Sequence, residues 1–319
     1  MRPGVTTLTD APAAAIGWGA DDREQAVALL ARVPGLADQS TDRRASVRAW
    51  IADLYPPPTQ DLPWGDLQPD RLAERFLGRH LHTTPGLADQ LTLAADPAQA
   101  IRLLTMYTRA VAHPVFTHRL DAALIELCVR HANVLAKPAI RTATQVEAPQ
   151  PLLAALHRVL SSPDINTKTL QEWGNQPPRT SHALADWAVQ LTACLVDNHR
   201  RRSNLPGLAM SLNNLSIRFG DLGRREKALE AITEAIQAYR HLTETQPDTF
   251  LLDLAASLNN LSIRLGQVGR QEEALETITG AIRHRLAEIR PVVHQKELEW
   301  SLAVMEWLRS TIDGDEGTR

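Results

Sequence analysis

Two stretches of this chain are nearly the same sequence. Leu208 to Ile236 reads LAMSLNNLSIRFGDLGRREKALEAITEAI, and Leu254 to Ile282 reads LAASLNNLSIRLGQVGRQEEALETITGAI, identical at 21 of 29 positions with an offset of 46 residues. Apolar residues in each copy recur every three or four positions, the spacing of a helix face and not the alternation of a strand. A unit this short cannot enclose its own apolar face and must stack on a neighbour, so the C-terminal third is predicted to be a helical solenoid. Solenoids present extended binding surfaces, which shifts the expectation from catalysis toward interaction.

The 319 residues suffice for two or three domains, and a hydrophobic content of 44% supports a real core. Net charge is −3, which provides no global basic footprint for nucleic acid or an anionic membrane. The only two cysteines, Cys128 and Cys194, lie far apart in apolar helical patterns. They read as reduced, buried small hydrophobes and not as a disulfide framework or zinc site. No apolar run reaches the roughly 18 residues needed to span a bilayer. The N-terminus has Arg2 as its only early base and no apolar core, so a leader peptide is not expected and a cytoplasmic location is.

Read along its length, the chain predicts helix after helix. Residues 1–20 suggest a flexible arm. Helical spacing then follows an Asp21/Asp22 cap up to Pro34-Gly35, follows Thr41 up to Pro56-Pro57-Pro58, and resumes after Pro69-Asp70. Asp96-Pro97 caps a helix running to about Ala112, and longer patterns cover about 117–136 and 149–160. Pro163 and Pro177-Pro178 punctuate the chain before a helix from Thr180 or Ser181 to about His199. Strand signals are absent, apart from room for a short hairpin near 55–68. In the duplicated unit the first helix spans about Pro206 to Leu222 and the second about Arg225 to Leu242, with Gly223, and Gly269 in the next copy, at the left-handed position that ends the first helix. A last helix, about Lys296 to Ser310, is predicted to cap the stack, with Trp300 and Trp307 over the final copy.

The register of these residues resembles the tetratricopeptide repeat. Leu212, Leu215, Ser216 and Phe219 stand at that motif's large, large, small and aromatic positions, and Ala228, Ile232 and Ala235 at its small, large and small ones. Leu258, Leu261, Ser262, Leu265, Ala274, Ile278 and Ala281 repeat the pattern. The long second helix and the LNNLS segment are most similar to the kinesin-light-chain type, although the unit exceeds the usual length of about 34 residues and lacks the terminal proline. Residues 43–81 and the segment DPAQAIRLLTMYTRAVAHP at 96–114 resemble the region that follows the nucleotide-binding module in actinobacterial STAND-type ATPases. Together these resemblances imply an all-α chain: a winged-helix-like segment (21–95), a helical connector (96–180) and a tetratricopeptide solenoid (181–319). The solenoid would comprise a half-repeat (181–204), repeats at 205–250 and 251–296, and a capping helix (297–311).

Chemistry is hard to find. A phosphate-binding loop needs Gly-Lys-Ser/Thr, but Lys137, Lys168, Lys227 and Lys296 follow Ala136, Thr167, Glu226 and Gln295. No HExxH or G-x-S-x-G occurs, and the histidines at 80, 82, 113, 118 and 131 show no ligand spacing, which favours surface or capping roles. The basic run His199-Arg200-Arg201-Arg202 ends a helix, where cations complement the macrodipole. No cofactor, metal or catalytic residue is expected, and neither is a nucleic-acid ligand.

The LNNLSIR segment is the exception. In the resembled family the first helix of each unit lines a concave groove that binds peptides. That implies a ladder of Asn213, Asn214 and Arg218, followed one unit on by Asn259, Asn260 and Arg264. Asn offers both donor and acceptor to an extended backbone, and Arg a fork for carboxylates. The same asparagines could instead join neighbouring units. The expectation is a non-enzymatic module binding a protein or peptide, the alternative being a regulatory or sensor fragment working with a separate STAND-type NTPase.

Overall fold

Helix punctuation in the sequence marks most of the helix ends. The computed structural model describes residues 5–116, 119–162, 167–174, 182–287 and 295–316, and it is all-α, with no strand among the described residues. The breaks expected at Pro163 and Pro177-Pro178, and the helix start at Thr180 or Ser181, lie outside them. No helix among them is long and apolar enough to cross a membrane. The helices fall into two compact units.

The first unit contains α1 (Val5–Trp18), α2 (Arg23–Leu30), α3 (Thr41–Leu54), α4 (Asp70–Thr83), α5 (Pro85–Thr92), α6 (Pro97–Ala112), α7 (Asp121–Arg130), α8 (Ala132–Ala143) and α9 (Gln150–Leu160). Residues 5–18 are no flexible arm. Ala11, Ala13, Ala14, Ala15, Ile16 and Trp18 are buried, and α1 packs against α2, α3, α4 and α6. Small side chains let these helices approach closely, and burial of the apolar run outweighs the hydrogen bond that Pro12 removes. A buried pair, His80 Nε2 to Asp10 Oδ1 at 2.7 Å, ties α1 to α4.

The 95/96 boundary between winged-helix-like segment and connector falls inside this one unit. Asp96 caps α6 with a full capping box, accepting from Ala98 N and Gln99 N, while its other oxygen accepts from Gln25 Nε2 at 2.6 Å. Gln99 donates to Gly19 O and accepts from Arg32, and Arg102 Nε donates to Ile16 O. The α6 N-terminus is therefore stitched to residues 16–32. The hairpin position 55–68 is a loop closed by Gly65 N donating to Tyr55 O at 2.7 Å. In the described part of the single helix expected over 117–136, two helices stand instead, α7 and α8, which meet at His131, whose φ of −110° and ψ of 36° interrupt the helix.

The second unit is a solenoid-like stack: α10 (Thr167–Gly174), α11 (Ala185–Arg201), α12 (Leu205–Asp221), α13 (Arg225–Thr245), α14 (Pro247–Gln267), α15 (Gln271–Ala287) and α16 (Gln295–Glu316). Each helix packs on the next in sequence, and the first helices α12, α14 and α16 also touch in turn. The predicted register positions form the core. Leu212, Ser216, Ala228, Ile232 and Ala235 are buried, as are Leu258, Ser262, Leu265, Ala274, Ile278 and Ala281, with Phe219 and Leu261 partly so. The half-repeat gains a short first helix, because α10 packs on α11 with Leu170 and Trp173 buried. Ile232 and Ile278 are fully enclosed, and truncating either to Ala is expected to cost about 2–5 kcal/mol.

The turns that follow α12 and α14 are built alike. In the α12–α13 turn Arg224 N donates to Phe219 O at 2.8 Å and Gly223 N to Gly220 O at 2.9 Å, with Gly223 at φ +68°. Gly269 repeats this at φ +83°, with Arg270 N donating to Leu265 O at 2.9 Å. These are the paired closures of a Schellman end, which glycine allows without a Cβ penalty. The α11–α12 turn has the same bonds, Asn204 N to His199 O and Ser203 N to Arg200 O, but Ser203 takes the left-handed position at φ +52°.

Candidate functional site

The LNNLSIR segments lie within α12 and α14, so a helical turn of about 100° per residue decides which side chains reach the surface. On α12, Leu212, Leu215 and Ser216 point inward, Asn214 is exposed, and Asn213 and Arg218 are half-buried. The α14 counterparts differ. Asn259 is only 2% exposed and Arg264 8%, while Asn260 is half-buried.

A ladder of like residues does not form. Asn260 Nδ2 donates to Asn213 Oδ1 at 3.0 Å, joining unlike positions of the two copies. The Arg264 guanidinium lies directly over Gly220 of α12, in space that any side chain there would occupy. Its Nη1 donates to Gln267 Oε1 at 2.9 Å. Burial lowers the Arg264 pKa from the usual guanidinium value, against an opposing pull from Asp221.

The six predicted side chains therefore separate. Asn259 and Arg264 belong to the interior of the stack, because α14 touches a first helix on each side, α12 and α16. Asn213 and Asn260 join the two first helices. Asn214 and Arg218 remain accessible on α12, and with Met210, 47% exposed, they form a stripe at i, i+4 and i+8. The sequence reading did not include Met210, although its four-residue spacing from Asn214 placed it on the same face.

No family model matches the chain, and no curated protein matches it.

The residues entering α12 hold this face in place. Asn204 Oδ1 accepts from Gly207 N at 3.1 Å, and its Nδ2 donates to His199 Nδ1 at 3.1 Å. His199 is therefore neutral with Nδ1 as acceptor, and it packs so tightly that a Cβ on Gly207 would lie 2.5 Å from that nitrogen. Burial, together with the Arg202 charge, lowers its pKa below the ordinary histidine value. Arg200, of the basic run at 199–202, pairs across helices with Glu234 at 2.7 Å, and Arg224 pairs with Asp186 at 2.6 Å.

The first unit has a cleft of about 860 Å³ walled by Trp18, Trp64, Pro56 and Pro97, with Arg102 and Arg141 at its polar side. Arg102 is engaged by Asp66 and by Ile16 O, so its charge is held by the fold itself. His80 and His131 are buried in carboxylate pairs with Asp10 and Asp89 at 2.7 and 2.8 Å, which corrects the surface or capping role expected of them. His113 does cap, its Nδ1 accepting from Val115 N at 3.3 Å. His118 lies outside the described residues. Burial pushes the Cys128 thiol up to about 12, which removes it as a nucleophile at neutral pH. Among the described residues no three His, Cys, Asp or Glu side chains converge as metal ligands.

Proposed function

We propose that the C-terminal stack is a non-enzymatic interaction module of the tetratricopeptide type, binding a peptide or protein along the Met210–Asn214–Arg218 stripe of α12. The observation that carries this reading is the separation of the LNNLSIR residues into a packed set and an accessible set. Asn214 supplies a donor and an acceptor for a peptide backbone, Arg218 a planar cation for a carboxylate, and Met210 an adaptable apolar contact. The neighbouring Asn213–Asn260 pair, half-buried on adjacent first helices, retains amide edges that can extend the same surface onto α14. The register match of seven positions in each copy supports the repeat type, as does the antiparallel pairing of α12 with α13 and α14 with α15.

The test is capture of partners from a peptide array by the full chain, comparing wild type with Asn214→Ala and Arg218→Ala. The reading expects both variants to keep wild-type helicity and to lose at least about tenfold in affinity for shared hits. Equal binding by well-folded variants would sink it.

A further inference from the structure

The 46-residue period continues into α16, where sequence identity has vanished. Ala209, Ala255 and Ser301 are all fully buried, and so are Ser216, Ser262 and Leu308, each 46 residues on. Leu212, Leu258 and Val304 follow the same course. The seat is repeated as well. Arg264 of α14 lies over Gly220 of α12, and α16 lies over Gly266 of α14, where a Cβ would meet Leu308 Cδ2 at 2.9 Å and Trp307 Cζ3 at 3.2 Å. Thus α16 packs as a third first helix.

Its departures from the pattern are equally regular. Leu254, Ser257 and Leu261 of α14 are buried or half-buried, whereas their counterparts Trp300, Ala303 and Trp307 are exposed, the tryptophans by 58% and 48%. α14 is packed by α13 before it and α15 after it, but α16 packs on α15 and α14. By subtraction, the strip Trp300–Ala303–Trp307, at i, i+3 and i+7, is the part of a first helix that a following second helix covers. Large aromatic side chains on such a strip are the usual anchors of a protein interface.

Charge identifies the kind of helix that fits. Residues 295–316 contain six acids against Lys296 and Arg309, a net charge of −4 beside −3 for the whole chain. Exposed Glu299 and Glu306 each precede a tryptophan of the strip. An antiparallel pairing of two α16 copies that set Trp300 against Trp307 would bring Glu299 opposite Glu306, a like-charge contact that disfavours self-association.

We propose that the Trp300–Ala303–Trp307 face of α16 docks an amphipathic helix of a partner protein, one that lies on it as α15 lies on α14 and carries Lys or Arg along its edge. The surface is separate from the α12 stripe and stands or falls independently of it.

The probe is a fluorescein-labelled synthetic peptide of the α13 sequence Arg225–Thr245 carrying Glu226→Lys, Glu230→Lys and Glu234→Lys, titrated with the full chain and read by anisotropy. Saturable binding is expected, weakened at least about tenfold by Trp300→Ser/Trp307→Ser and a few-fold by Glu299→Gln/Glu306→Gln, and unchanged by Asn214→Ala. Because Trp307 also touches the Gly266 seat, Trp300→Ser alone serves as the fold-neutral variant, with helicity checked by circular dichroism. The unmodified acidic peptide should bind more weakly, and equal binding would overturn the charge argument. Absence of saturable binding up to about 1 mM would overturn the docking surface. So would a wild-type dimer in sedimentation that Trp300→Ser dissolves, because the occupant would then be a second copy of this chain.

Discussion

The two copies of LNNLSIR have the same letters and different fates. Asn213 and Arg218 of the first are half-buried, while Asn259 and Arg264 of the second are nearly closed off from solvent. Local sequence is the same, so the difference arises from tertiary neighbours. Arg264 finds a glycine of the preceding first helix to lie on, and α16 covers the far side of α14. A repeat motif thus specifies the helix and its core face, and position in the stack decides which polar residues remain available.

The comparison breaks most readily at the arginines. Arg264→Ala removes a side chain packed between first helices and is expected to destabilise the second unit by about 2–3 kcal/mol. Arg218→Ala should cost no more than about 0.5–1 kcal/mol. Urea titrations followed by far-UV circular dichroism measure both, and equal losses would mean that the two copies are equivalent after all.

The helix-ending glycines provide the opposite control. Gly223→Ala and Gly269→Ala place a Cβ at positive φ in matching turns and should cost about 1 kcal/mol each, alike in both copies. Ser203→Gly in the third turn should stabilise by roughly 0.5–1 kcal/mol by relieving the same conformation. Unequal glycine costs in thermal melts would show that the difference between copies extends to the turns.

The asparagines are next in size. Asn260→Ala loses the bond to Asn213 and is expected to cost about 1 kcal/mol, whereas Asn214→Ala, on the exposed face, should be neutral in stability and felt only in binding. A double-mutant cycle between positions 213 and 260 isolates the pair, and zero coupling would remove the inter-copy hydrogen bond from the account.

The smallest effect is a pH dependence confined to the entry of the first copy. Because the folded His199 pKa lies below its unfolded value near 6.5, the unfolded chain binds a proton first as pH falls. The stability that neutral His199 contributes is therefore fully present above about 6.5 and is lost below it, toward the folded pKa. Comparing wild type with His199→Gln between about pH 7.5 and 5.5 isolates it, and identical slopes for the two proteins would discard the contribution.

Much of the C-terminal unit was legible because duplication exposes its period and Gly223 and Gly269 mark its turns. The N-terminal helix was not. Pro12 and the β-branched Val5, Thr6, Thr7 and Thr9 oppose a helix, its alanines present no large apolar face, and only the surrounding helices make VTTLTDAPAAAIGW a core element. The short α10 has too few residues to display a period. Among the site residues, Asn214 is exposed and Arg218 half-buried, but no local signal could distinguish Arg264 from Arg218. That distinction depends on Gly220, which contacts it from 44 positions away in the chain.

The glycine seats at 220 and 266 have a consequence for how such a chain can lengthen. The segment carrying α14 brings both a bare patch of backbone, at Gly266, and the side chain that rests on the previous patch, Arg264 over Gly220, so it behaves as a cassette. A third copy of residues 208–253 spliced in after position 253 would set its Arg218 over Gly220 of the copy before it, where Arg264 now lies, and should lengthen the stack by one step.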